Sequence, residues 1–218
     1  MAAFKPFGVL PAMVTPLNND ETVNEGALRK LCRFLIDGGV HGLFPVGTTG
    51  EFYALTRDEK RRILEITLEE AGKSVPVYFG SGAISTREVV ALNKIAEEVG
   101  ATAVSVLTPM FISPSQRELA DHYRRIADHT SLPILLYNNL PKTGLTITPE
   151  TAASLAEIEN IVGIKDSSGD FTLTLEYIRR TRGSDFHVLA GRDTLIHACL
   201  VHGGAGAIAA CANVAPRL

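Results

Sequence analysis

Lys165 ends an apolar run, Ile161-Val162-Gly163-Ile164, and polar and acidic residues with a glycine, Asp166-Ser167-Ser168-Gly169-Asp170, follow it. Lysine is rarely buried. At a strand end it either snorkels to the rim or is held in a pocket for its chemistry. Alternation along a strand sets Ile161, Gly163 and Lys165 on one face and Val162 and Ile164 on the other. With the Lys165 face turned inward, desolvation among apolar walls favours the neutral amine that attack on a carbonyl requires. Reaction with a 2-oxo acid then gives an iminium whose nitrogen is an electron sink. The adjacent carbon can lose a proton and become a nucleophilic enamine.

Other residues offer matching parts. Gly47-Thr48-Thr49-Gly50-Glu51 is either an ordinary turn or a loop whose N–H groups and hydroxyls converge on a carboxylate or phosphate. No Gly-Lys-Ser/Thr follows it, so it is not a P-loop. Tyr137, before Asn138 and Asn139, either packs at a strand end or moves protons with its phenol oriented by a hydroxyl. Gly80-Ser81-Gly82 reads as a turn that needs small residues. The six histidines show no metal-binding spacing and are expected mostly on the surface. Asp166 and Asp170 suit solvated or helix-start roles better than a metal site. A carbonyl nucleophile, a carboxylate cradle and a phenolic proton carrier suit aldol chemistry on pyruvate, with neither metal nor organic cofactor.

Eight short apolar runs begin at Gly8, His41, Val75, Thr102, Leu132, Ile161, Phe186 and Gly206. Runs apolar on both faces suit a parallel sheet covered on both sides. Helical stretches alternate with them, and Thr56-Arg57-Asp58-Glu59, Ser85-Thr86-Arg87-Glu88 and Ser115-Gln116-Arg117-Glu118 match the capping-box pattern. This predicts an α/β fold, a (β/α)8 TIM barrel spanning residues 1–218 as one domain. Only Val214 to Leu218 remain beyond the eighth run for a closing helix, so the barrel is expected to be truncated after its eighth strand. With 218 residues, a net charge of −3 and 45 % hydrophobic residues, a sizeable core is expected. No basic face for nucleic acid and no membrane-length apolar run is present. The start, MAAFKPFG, lacks a signal-peptide layout. Cys32, Cys199 and Cys211 suit buried thiols in a reducing cytoplasm.

With GTTGE, YNN-x-P-x-TG and GIKDSSGD at matching order, the chain resembles the dihydrodipicolinate synthase and N-acetylneuraminate lyase family of class I aldolases. The resemblance implies that Lys165 forms the Schiff base, Tyr137 relays protons, and Thr48 hydrogen-bonds the tyrosine. It implies that Thr49 and the loop amides, Gly47 included, bind the substrate carboxylate, and that Gly191 and Ile208 line the pocket with backbone groups. It also implies a homotetramer built as a dimer of dimers. Two departures stand out. Phe111 replaces a tyrosine that crosses a dimer interface in the synthases, filling the space without carrying a proton. Lys142 replaces an arginine that holds the aldehyde's carboxylate, keeping charge but losing the bidentate fork. Together these lean the expectation toward a lyase or aldolase of a sugar-derived 2-oxo acid. The runner-up is dihydrodipicolinate synthase itself, condensing pyruvate with aspartate semialdehyde. Rival classes are a silent 2-oxo-acid sensor and a phosphate-binding barrel with Gly203-Gly204-Ala205-Gly206 as its phosphate loop.

Overall fold

A computed structural model describes residues 4–217; residues 1–3, the start of MAAFKPFG, and residue 218 lie outside it. Seven strands form one parallel sheet: β1 Gly8–Pro11, β2 Tyr78–Gly80, β3 Ala103–Leu107, β4 Ile134–Asn138, β5 Ile161–Asp166, β6 His187–Ala190 and β7 Gly206–Ala209. Their order is β1-β7-β6-β5-β4-β3-β2. The run beginning at His41, expected as a full strand, instead joins the two sheet edges through isolated parallel bridges, Ala12 with Phe44 and Leu43 with Val77. His41 donates to the Val9 carbonyl (2.9 Å) and Tyr78 to that of Leu43 (2.8 Å), so the sheet curls into a TIM-barrel-like ring. The segment is short for a physical reason. Pro45 has no N–H to offer a ladder, and Val46 turns to φ 59°, a left-handed conformation unusual for a β-branched residue.

Among the described residues eight helices accompany the strands: α1 Glu25–Asp37, α2 Arg57–Ala71, α3 Thr86–Val99, α4 Gln116–Ala127, α5 Leu140–Thr143, α6 Pro149–Leu155, α7 Phe171–Arg180 and α8 Ile196–Val201. The capping boxes of α2 and α4 close as expected, each through a reciprocal Thr56–Glu59 or Ser115–Glu118 pair. At α3 only half forms: Ser85 accepts from the Glu88 N–H, but the Glu88 carboxylate is taken by Arg57 of α2. None of these helices is long and apolar enough to cross a membrane.

Two apolar layers result. Leu10, Ala12, Phe44, Tyr78, Ala103, Leu135, Leu189 and Ile208 pack together inside the ring. A larger layer, including Leu28, Ile63, Leu92 and Ile126, lies between sheet and helices. Strict alternation along β5 is interrupted. Ile134 pairs with Ile161 but Leu135 pairs with Gly163, so one residue is skipped. Val162 therefore packs with the interior and Ile161 with the helix-facing layer, the reverse of the expected assignment. Above the irregularity the register is regular, and Lys165 keeps its inward direction.

Burial corrects two further expectations, for Cys211 and Asp166, and sets one histidine apart from the rest. Four of the six histidines are exposed, as expected of most of them, while His122 is buried at 7 % exposure with its Nδ1 against Thr86 Oγ1 (2.8 Å). Cys211 is exposed, unlike Cys32 and Cys199, because it follows β7 on an open 3-10 turn. Asp166 is neither solvated nor at a helix start, whereas Asp170 does cap α7, accepting from Thr172 (2.9 Å).

Candidate active site

Lys165 and Tyr137 are cross-strand partners near the C-terminal ends of β5 and β4. Lys165 is 3 % exposed. Its Nζ lies 4.1 Å from the centre of the Tyr137 ring and 5.0 Å from that of Phe44, which floors the site from the barrel interior. The next register pair, Asn138 and Asp166, locks these strand ends. Asn138 Nδ2 donates to Asp166 Oδ1 (2.9 Å), and Thr174 Oγ1 (2.6 Å) and Ser168 Oγ (3.0 Å) donate to Oδ2. Asn138 Oδ1 in turn accepts from the Ile147 N–H (3.0 Å). The buried Asp166 carboxylate is thus held by neighbours and turned away from Lys165.

The Tyr137 hydroxyl has two partners. It accepts from Asn139 Nδ2 (2.9 Å) and shares a proton position with Thr48 Oγ1 (3.3 Å). Burial drives the Tyr137 phenol upward. The Lys165 charge beside it, helped by the hydrogen bond with Thr48 and by the nearby Ser167, outweighs burial and holds the phenol below its ordinary value of 10.0. A phenol so placed gives up and regains a proton more readily than a free tyrosine.

Thr48 and Thr49 reach the site because the loop that carries them bends twice. Val46 and Glu51 adopt φ 59° and 56° on either side of it. Gly80 makes room, since a Cβ there would sit 2.1 Å from the Val46 carbonyl oxygen. Gly191 is equally constrained: a Cβ there would meet Ser167 Oγ at 2.0 Å. Strain held next to a site in this way is a familiar cost of fixing reactive groups.

A cavity of about 150 Å³ brings Thr48, Thr49, Tyr137, Lys142, Lys165, Gly191 and Ile208 together. Gly47 lies just beneath, lining a smaller cavity with Phe44, Thr48 and Tyr137. Phe111 is not among the cavity residues. It stands 90 % exposed at φ 79° on the β3–α4 loop, which carries it outward within one chain. The residues Gly203 to Gly206 lead into the start of β7, at the end of the barrel opposite Lys165. There Gly204 admits the Cys199 side chain and Gly206 the Gly8 backbone, so the run serves close packing and forms no phosphate loop at the site.

Sequence reasoning missed Asn139, Ser167 and Arg192, all of which line the cavity. Asn139 had a visible signal, being two residues past Tyr137 at a strand end. Ser167 and Arg192 are also adjacent to predicted site residues, Ser167 two beyond Lys165 and Arg192 just after Gly191. Their orientation depends on the turn each strand makes on leaving the sheet.

This arrangement has close counterparts. A family model described as the dihydrodipicolinate synthetase family matches residues 5–218. A 4-hydroxy-tetrahydrodipicolinate synthase of Methanopyrus kandleri is 43 % identical over 217 residues, an alignment covering 99 % of this chain and 72 % of that protein. The crystal structure of the chloride-inhibited dihydrodipicolinate synthase of Acinetobacter baumannii complexed with pyruvate superposes with a TM-score of 0.94 at 36 % identity, covering 97 % of this chain and 72 % of that one. YagE of Escherichia coli K12, a prophage protein of the same family solved in complex with pyruvate, gives a TM-score of 0.94 at 33 % identity, with 97 % and 72 % covered. A buried lysine beside a phenol in a TIM-barrel-like ring and a family match over nearly the whole sequence lead to one conclusion: the chain belongs to the dihydrodipicolinate synthetase family and is a class I, Schiff-base-forming lyase.

Proposed function

We propose that the chain acts as a 4-hydroxy-tetrahydrodipicolinate synthase, condensing pyruvate with aspartate semialdehyde through an imine on Lys165. The observation that carries this reading is the burial of Lys165 at 3 % exposure with its Nζ 4.1 Å from the Tyr137 ring, in the cavity that Thr48 and Thr49 also line. The choice of acceptor follows the name borne by relatives 43 % identical. It replaces the leaning toward a sugar-derived 2-oxo acid.

In this reading the pyruvate carboxylate is held by Thr49 and the loop amides around Gly47. The Lys165 amine attacks C2, and the carbonyl oxygen leaves as water to give the iminium. Tyr137 Oη, poised between Thr48 and Asn139, carries the protons of that dehydration. The iminium then loses a C3 proton, and the resulting enamine attacks the aldehyde carbonyl, whose oxygen is protonated to a hydroxyl. The amino group brought in by aspartate semialdehyde then attacks the iminium carbon, closing the ring by a new C–N bond as the C–N bond to Lys165 breaks, and the lysine leaves as the free amine. Lys142, at the cavity edge on α5, supplies positive charge for the aldehyde's carboxylate.

A second reading, cleavage or dehydration of a sugar-derived 2-oxo acid, is favoured by Phe111, which carries no proton. Incubation with pyruvate and sodium borohydride, followed by mass mapping, tests the common step. We expect a reduced pyruvate adduct on Lys165 in the wild type and none in Lys165→Ala. A folded wild-type sample with no adduct sinks the proposal. Turnover of aspartate semialdehyde against sugar-derived 2-oxo acids then separates the two readings.

A further inference from the structure

We infer that Arg192 is a specificity-determining residue that binds the carboxylate of the acceptor aldehyde, opposite the end of the cavity that takes the 2-oxo acid. The inference rests on the Schiff-base reading of Lys165 above and extends it to a residue with no role there.

The first observation is charge. The cavity wall carries three cations, Lys142, Lys165 and Arg192, and no aspartate or glutamate. Among the described residues neither Lys142 nor Arg192 forms a salt bridge. On α1 and α2, by contrast, Arg29, Arg33, Arg57, Arg61 and Arg62 are each paired with a glutamate. Basic groups gathered around one small cavity, with no carboxylate among them, favour the entry of an anion. One carboxylate, that of the 2-oxo acid, leaves the site electropositive; a second restores balance.

The second observation is position. Lys165 ends β5, whose neighbours in the ring are β4 and β6. Lys142 follows β4 and Arg192 follows β6, so the two cations flank the lysine from adjacent strands. Thr48 and Thr49 follow the bridged segment between β1 and β2, across the ring from β5. A substrate pinned by one carboxylate at the threonines and bonded to Lys165 therefore has its far end directed to Lys142 and Arg192.

The third observation is how Arg192 is held. Its Nε donates to the Ser167 carbonyl (3.2 Å), and its guanidinium lies over Gly169, where a Cβ would come within 3.7 Å of Nε. Gly169 has φ 84°, so the position favours a residue without a side chain and leaves that surface clear. The anchoring takes one donor, while the Nη groups make no hydrogen bond to the described residues. A planar fork fixed at its base with its outer donors unused suits bidentate capture of a carboxylate. Lys142 supplies charge only, so Arg192 provides the geometry that Lys142 lacks.

The test uses the intact enzyme, Arg192→Met, Arg192→Lys and two readouts. The first is KM for aspartate semialdehyde at saturating pyruvate. The second is the pyruvate concentration that half-saturates borohydride trapping on Lys165. We expect Arg192→Met to raise the KM for aspartate semialdehyde by about tenfold to hundredfold. The half-saturating pyruvate concentration should move by a much smaller factor, because pyruvate does not reach Arg192. Arg192→Lys should recover part of the loss, since charge returns without the fork. An unchanged aldehyde KM in Arg192→Met overturns the inference, as does an equal shift in both readouts. Absence of the trapped adduct in the wild type is a different result: it overturns the Schiff-base reading, and this inference with it.

Discussion

At the scale of single residues, the central feature is a cation and a phenol buried side by side. Lys165 gains an electron-rich face from Tyr137 and Phe44, and Tyr137 gains a neighbouring positive charge that holds its phenol below 10.0 against the upward pull of burial. Removing only the hydroxyl should therefore leave the packing and take away the proton carrier. Tyr137→Phe is expected to lower kcat by about 10²- to 10⁴-fold with the circular dichroism spectrum unchanged. The limb of the wild-type rate profile that reports phenol ionisation below pH 10 should vanish with it. Full activity in the variant would leave Tyr137 as a packing residue. Lys165 and Tyr137 were legible because a polar residue ending an apolar run is conspicuous. Arg192 was not, since an arginine just past a glycine in a loop has the same appearance whether it faces solvent or a cavity.

Among the elements, the loops decide more than the strands. The cavity residues come from the C-terminal ends of β1, β4, β5, β6 and β7, from α5 and from the loop flanked by Val46 and Glu51. The short helix α5, which carries Lys142, has no apolar periodicity that would announce it. Outside the site, α3 and α4 meet through Thr86 and His122. Burial lowers the His122 imidazole from 6.5 to about 4, so the folded chain keeps it neutral. The unfolded chain protonates it near pH 6.5, and stability present above that pH is lost as pH falls toward 4. The loss attributable to this group is about 2 kcal/mol between pH 7 and pH 5. Urea midpoints at the two values, compared with those of His122→Gln, check this. The variant should show the shallower pH dependence, and an identical slope would remove His122 as its source. His122 is the exception to the expectation that most histidines lie at the surface, because an amphipathic helix can point a histidine inward where a partner such as Thr86 stands.

For the molecule as a whole, ring closure is the decisive event. Phe44 sits in the bridged segment that joins β1 to β2, fully buried, under Gly47 and beneath Lys165. It is at once part of the seam, the plug of the barrel interior and a wall of the site. Phe44→Ala is expected to cost about 3–5 kcal/mol of stability, read as a lower urea midpoint. It should also weaken pyruvate trapping at Lys165. A loss below about 1 kcal/mol would mean that the interior repacks freely around the gap.

The sequence by itself determined the succession of apolar runs and helices, the helix caps at Thr56 and Ser115, and which residues, Lys165 and Tyr137 first among them, are proposed to react. These follow from local chemistry: burial on two faces, hydrogen bonds to nearby backbone, and side chains whose reactivity is their own. Only the tertiary structure decided that the second run would close the ring by bridges, that Val162 and not Ile161 would face inward, and that Phe111 would stand outside the cavity while Arg192 lines it. Those outcomes depend on register and on backbone turns at Val46 and Glu51, set by partners distant in the chain. Alternation along one strand carries no information about where its neighbour skips a residue.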